Sequence, residues 1–177
     1  MLELAILGFL CDTPLHGYEL RKRITALTGH VKPVAESTLY PAIKRLENAG
    51  LLERTTQPGS VAAPRHVLTL TEEGGRELRR RLAEAAGRDI SDENRWFSVL
   101  AFLRHLEDPS AQAAVLRRRL AFLEEPASFF YDGERPVRAE ELDDPFRRGI
   151  LTIARATSDA ELAWLRATLG SLDAADG

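Results

Sequence analysis

Apolar side chains recur at spacings of three and four along most of this chain, and only one stretch changes to short β-like runs. Leu2 to Leu10 reads as a buried helix ended by "CDTPLHG", where Asp12, Pro14 and Gly17 are turn or cap residues. Gly17 to Leu27 carries Tyr18, Leu20, Ile24 and Leu27 on one stripe, with Arg21, Lys22 and Arg23 beside it. "TGHVKPVAES" reads as a connector into a third helix, with Ser37 as N-cap and Pro41 at the fourth position. That helix has Leu39, Ile43 and Leu46 on one face and Thr38, Lys44, Arg45 and Asn48 on the other, and Gly50 is placed to stop it in a left-handed conformation.

Two β-like runs follow, Leu51 to Thr56 and Arg65 to Thr71, separated by the turn chemistry of "QPGSVAAP". Thr71 then caps a fourth helix whose first turn holds Glu72 and Glu73. Beyond "AAGRDISDE" the pattern is helical throughout, over Glu93 to Leu106 and over Ser110 to Leu123. A Pro-rich and acidic loop separates these from a last helix over about Pro145 to Leu172, roughly 40 Å long at 1.5 Å per residue. Its Phe146, Ile150, Ile153, Leu162, Leu165, Leu169 and Leu172 keep a near-heptad spacing, weakened at Thr157 and Ala160. A helix this long in so small a domain implies a partner subunit.

The predicted fold is therefore mainly α, in two domains. Residues 1–86 form three helices and a β-hairpin wing, a winged helix-turn-helix in which the third helix enters the DNA major groove, and residues 87–177 form an all-α domain. Charge supports the division. The chain carries -3 overall, but residues 1–86 hold 12 Lys and Arg against 10 Asp and Glu, and residues 87–177 hold 12 against 17. The halves thus differ in sign, as expected if the first faces a polyanion. The single Cys11 excludes an intramolecular disulfide. The apolar start "MLELAILGFLC" has no basic segment before it and is flanked by Glu3 and Asp12, and no later run reaches the ~20 residues of a membrane helix, so a cytoplasmic location is expected.

Three blocks sharpen this reading. "HGYEL" at 16–20, "STLYPAIKRLENAGLL" at 37–52 and "PRHVLTLTEEG" at 64–74 resemble the PadR family of bacterial transcriptional regulators. The resemblance implies a DNA-binding N-terminal domain and, for the longer members, a helical C-terminal dimerisation domain. The second wing strand departs from the family pattern, because Arg65-His66-Val67-Leu68 stands where an aromatic pair is usual.

The expected DNA contacts are Ser37, Thr38, Tyr40, Lys44 and Arg45 on the third helix, with Arg65 and His66 on the wing. Lys44 and Arg45 suit phosphate or guanine, and a hydroxyl at a helix start bonds phosphate beside free N–H groups. Tyr40 reads equally as core packing with only its hydroxyl outside. Trp96, Phe97 and Trp164 belong to an aromatic concentration that includes Phe102, Phe129 and Phe130. Core and interface packing explain it by default. Because some PadR relatives bind flat hydrophobic drugs between their C-terminal helices, the resemblance also implies a possible pocket there for a small aromatic effector. His16, His30, His66 and His105 are scattered without an i, i+4 pair, which argues against a metal site, and no cofactor is expected. No phosphate loop, nucleophile elbow or HExxH occurs, so an enzyme is not expected.

The sequence therefore predicts a homodimeric transcriptional regulator, most simply a repressor, that binds double-stranded DNA at a pseudo-palindromic operator. The alternatives are a winged helix used for protein contact and a small-molecule sensor that has lost DNA binding.

Overall fold

The computed structural model describes residues 1–27, 34–57, 65–125 and 131–175. The chain forms two compact units, Met1–Glu107 and Asp108–Gly177. Among the described residues it is helical apart from two small antiparallel sheets, so the expected mainly α fold with an N-terminal winged helix is the one observed. His30, Phe129, Phe130 and the turn between the wing strands lie outside the described residues.

In the first unit, α1 (Leu2–Asp12) is apolar on nearly every side and therefore sits at the centre, with Leu4 to Gly8 and Leu10 buried. Around it pack α2 (Gly17–Leu27), α3 (Glu36–Asn48) and α4 (Glu72–Ala83). The wing is β2 (Leu52–Gln57) paired antiparallel with β3 (Arg65–Leu70), in a register that sets Arg54 against Leu68 and Gln57 against Arg65. A third strand that the sequence reading had taken as a turn, β1 (Leu15–His16), pairs with β3 at Leu68 and Val67.

The remaining side of α1 is covered by α5 (Arg88–Ser91) and α6 (Glu93–Phe102), which carry Ile90, Trp96, Val99 and Phe102 into the core. Phe102 comes so close to α1 that a Cβ on Gly8 would lie 2.4 Å from its ring, and its edge-on contact with Phe9 spans 5.0 Å between centroids. Residues 88–106 are thus part of the unit that holds the winged helix, whereas the sequence reading divided the chain after residue 86. An α1 that is apolar all round needs more cover than the winged helix supplies. Helix α6 also ends earlier than the expected Leu106, in a 3-10 turn over Leu103–His105.

Two local devices fix α3. Its C-terminus closes with Gly50 at φ 72°, the Gly50 N–H donating to Glu47 O and the Leu51 N–H to Leu46 O, both at 3.0 Å. The Thr71 hydroxyl then serves both ends of the joint, accepting from the Gly74 N–H at 2.9 Å and donating to Gly50 O at 2.8 Å. Gly74 is required there because a Cβ would stand 2.1 Å from the Leu51 carbonyl oxygen. At the other end the expectation is corrected. The helix begins at Glu36 after an extended Ala35 without a side-chain cap, so Ser37 lies inside the first turn and Pro41 is the sixth helical residue.

In the second unit, α7 (Pro109–Glu124) packs against α8 (Pro145–Ala175), and a short hairpin of β4 (Tyr131–Asp132) and β5 (Arg135–Pro136) lies between them in sequence. At 31 residues α8 is about 46 Å long. Its expected single apolar stripe is in fact two. Leu151, Leu165 and Leu169 are buried, whereas Phe146 and Ile153 stand 82% and 70% exposed with Ile150 and Trp164 on the same open side. The open stripe runs 146, 150, 153, 157, 160, 164, 167, 171, alternating four and three, and every position in it is exposed. The buried one runs 151, 155, 158, 162, 165, 169, 172.

Candidate nucleic-acid interface

Helix α3 divides cleanly into two faces. Leu39, Ala42, Ile43 and Leu46 are buried to 2% exposure or less, which anchors the rod by its apolar side. Ser37, Thr38, Tyr40, Pro41, Lys44 and Asn48 are exposed. Lys44 has no ion-pair partner among the described residues. Arg45 is also exposed, but its guanidinium reaches Glu3 on α1 at 3.0 Å, so its neighbour in sequence differs from it in environment. Burial alone would push the Glu3 carboxyl up, and hydrogen bonds from Arg45 and Arg81 outweigh that and hold it below the ordinary carboxylate range.

Tyr40 resolves the ambiguity between core and surface by serving both. Its ring covers the start of α2, close enough that a Cβ on Gly17 would lie 3.3 Å from it, and it remains 46% exposed. Tyr40, Tyr18 and the edges of His16 and His66 border a cleft of about 450 Å³ between α3, the start of α2 and the wing. His16 Nδ1 lies 3.0 Å from the His66 carbonyl oxygen, which accepts from it. His66 Nδ1 lies 3.3 Å from Thr56 Oγ1 across the wing. Arg54 on β2 is held by Glu47 through two hydrogen bonds, at 2.7 and 3.1 Å, tying the wing to α3. Arg21 on α2 makes an ion pair with Glu36 at the first residue of α3.

The structure therefore gathers Tyr40 with His66 on one cleft, sets Ser37, Thr38 and Lys44 on the same helix face, turns Arg45 towards α1, and places Arg65 opposite Gln57 in β3. The sequence reading missed His16, Tyr18 and Arg54 as members of this surface, although Tyr18 is 71% exposed. For His16 and Tyr18 the signal available was the "HGYEL" block, which the sequence reading used for the resemblance and not for this surface.

The aromatic residues expected around an effector are divided between the two units. Trp96 is fully buried in the core of the first unit and Phe97 beside it is half exposed, while Trp164 lies in the open stripe of α8 in the second unit. No cluster of His, Cys, Asp and Glu able to hold a metal occurs among the described residues, and none of their helices is long and apolar enough to cross a membrane.

Residues 6–80 match the family model of the transcriptional regulator PadR-like family. Among solved structures, a transcriptional regulator from Clostridium thermocellum is 29% identical over 46% of this chain and 79% of its own, with a TM-score of 0.43. Bacillus subtilis PadR in complex with operator DNA is 21% identical over 96% of this chain and 98% of its own, with a TM-score of 0.44. The same protein in complex with p-coumaric acid is 22% identical over 97% and 98%, at a TM-score of 0.40. No curated protein matches the chain.

Proposed function

We propose, from the match of residues 6–80 to the family model of the transcriptional regulator PadR-like family, that this chain is a cytoplasmic, homodimeric repressor that binds a pseudo-palindromic operator. The observation that carries the reading is the face of α3, where Ser37, Thr38, Tyr40 and Lys44 stand exposed over a fully buried apolar side, moored at its far end to the wing. Hydroxyls and an unpaired ammonium on one helix face suit a phosphate backbone and base edges. Arg65 and His66 on the wing strand contact the backbone beside it. Arg45 borders this face and shares its charge with Glu3.

The second half of the reading is the dimer. An exposed stripe from Phe146 to Ser171 at strict heptad spacing is the kind of surface that a second copy of the same helix covers. In the dimer the two α3 helices address successive major grooves about 34 Å apart. The test is selection from a random double-stranded DNA pool with the purified full chain, followed by titration at increasing salt. An enriched inverted repeat and a steep fall in affinity with salt are expected. A pool with no enriched sequence would overturn the reading and favour a winged helix used for protein contact.

A further inference from the structure

Three arginines stand at the edges of α3, and each is held by a carboxylate. Arg21 of α2 makes its ion pair with Glu36, the first residue of the helix. Arg54 of β2 is gripped by Glu47 in the last turn, each carboxylate oxygen accepting one N–H, at 2.7 and 3.1 Å. Arg45 leans the other way, to Glu3 on α1. Lys44, on the outward face between them, has no such partner among the described residues.

Helical geometry puts the two acids of α3 on one edge. At about 100° per residue, position 47 comes round to within about 20° of position 36, and the outward positions 37, 41, 44 and 48 cluster about a quarter-turn away. That edge meets α2 and the wing, and Tyr40 lies along it at the cleft. The helix dipole by itself favours an acid at the first position, but it disfavours one in the last turn. What holds Glu47 there is Arg54, and the Glu47 side chain is only 18% exposed.

Binding to DNA without regard to sequence is carried by phosphate contacts, and each free arginine adds to it in every register the protein can adopt. An arginine already satisfied by a carboxylate offers little, because a phosphate must displace the acid and the displaced acid then faces a polyanion. The operator complex is a single pose held by the outward face of α3, so the same restraint costs it less. The pairs thus weaken binding to the wrong DNA more than to the right one.

On the DNA-binding reading of α3, on which this rests, we propose that Glu36 and Glu47 are specificity-determining residues. By holding Arg21 and Arg54 at the edge of α3 they keep the chain off duplexes that lack its operator, without touching a base.

The experiment measures the affinity of the full chain for the selected operator and for a random-sequence duplex of the same length, over a series of salt concentrations. Glu36→Gln and Glu47→Gln should each raise affinity for the random duplex by about threefold or more and steepen its slope against log salt by about one. Operator affinity should rise by less than about twofold. Combining Glu36→Gln with Arg21→Gln, or Glu47→Gln with Arg54→Gln, should return the random duplex to within about twofold of the parent, because the gain requires the freed guanidinium. Glu124→Gln makes the same change of net charge in the second unit, where Glu124 pairs with Arg166, and should move neither affinity by more than about twofold. Should Glu47→Gln not melt as the parent does, the Glu36 variants carry the comparison.

A merely structural role for the acids predicts weaker binding to both duplexes, and that result would overturn the proposal. So would an equal gain on both duplexes, a gain that persists in the double variants, or a matching gain in Glu124→Gln. If the parent selects no operator, the reading of α3 falls and takes the role of the two acids with it. If it selects one and the ratio of the two affinities stays within about twofold in both single variants, only the role of the acids falls.

Discussion

Helices α3 and α8 are both rods held down by one apolar side, and their open sides are chemical opposites. On α3 the open side is hydroxyl, amide and ammonium, at Ser37, Thr38, Asn48 and Lys44. On α8 it is Phe146, Ile150, Ile153 and Trp164 in a heptad stripe. A buried stripe at helical spacing is common to both and says nothing of partner; the residues left outside decide it. A polar open side is at no cost in water and invites a hydrated polyanion, whereas an apolar open side of this length costs free energy until a like surface covers it.

The sharpest way to break this comparison is at α8. Ile153→Glu places a charge in the middle of the open stripe, which has to be desolvated for a second copy to dock. Sedimentation equilibrium should show the dimer dissociating at a concentration about 100-fold higher or more, while helicity is retained because the side chain faces outward. Unchanged self-association would show that this stripe is not the interface.

Next in size is the open side of α3. Lys44→Ala should lower affinity for the selected operator by about tenfold and reduce the slope of log affinity against log salt by about one, if the ammonium neutralises a single phosphate. Loss of preference at one base, with the slope unchanged, would assign Lys44 to a base edge instead. No change in either quantity would remove Lys44 from the surface.

A smaller effect is expected at the joint that orients α3. Gly50 has φ 72° with nothing within 4 Å of a would-be Cβ, so Gly50→Ala meets conformational strain alone. Thermal or urea unfolding should report a loss of about 1 kcal/mol. A loss several times larger would mean that the α3 stop is coupled to the wing by more than backbone geometry.

The smallest effect separates Arg45 from Lys44. Glu3 is held below the ordinary carboxylate range in the folded chain, so its pairing with Arg45 and Arg81 stabilises the fold at pH above about 4.3 and is lost as pH falls through the lower folded value. Glu3→Gln should cost up to about 1 kcal/mol near neutrality. The gap between parent and variant melting temperatures should close as the pH is taken below 4. A gap independent of pH would show that the pair contributes nothing through charge.

Much of this contrast was legible in the residues. The buried side of α3, the Gly50 stop and the Thr71 cap follow from spacing and from the conformational needs of glycine and hydroxyl residues. Three things were not legible, each because it depends on contacts distant in sequence. Strand β1 is two residues inside "DTPLHG", which has local turn chemistry, and only pairing with Leu68 and Val67 makes it a strand. Lys44 and Arg45 are alike as neighbours in sequence, yet one step of a helix turns the second towards Glu3, 42 positions earlier. The two stripes of α8 share one helix and nearly one period, so in the sequence they merge into a single series, and only packing within the unit separates the buried Leu151, Leu165 and Leu169 from the exposed Phe146, Ile150 and Ile153.

The Thr71 hydroxyl joins the stop of α3 to the start of α4 across the first residues of the wing, and nothing on the outward side of α3 takes part in that joint. Positions 37, 38, 44 and 48 are consequently free to drift without disturbing how the helix is presented. A lineage carrying this scaffold can exchange one operator for another by a few surface substitutions, each near neutral for folding. Retargeting by design has the same four positions to work with.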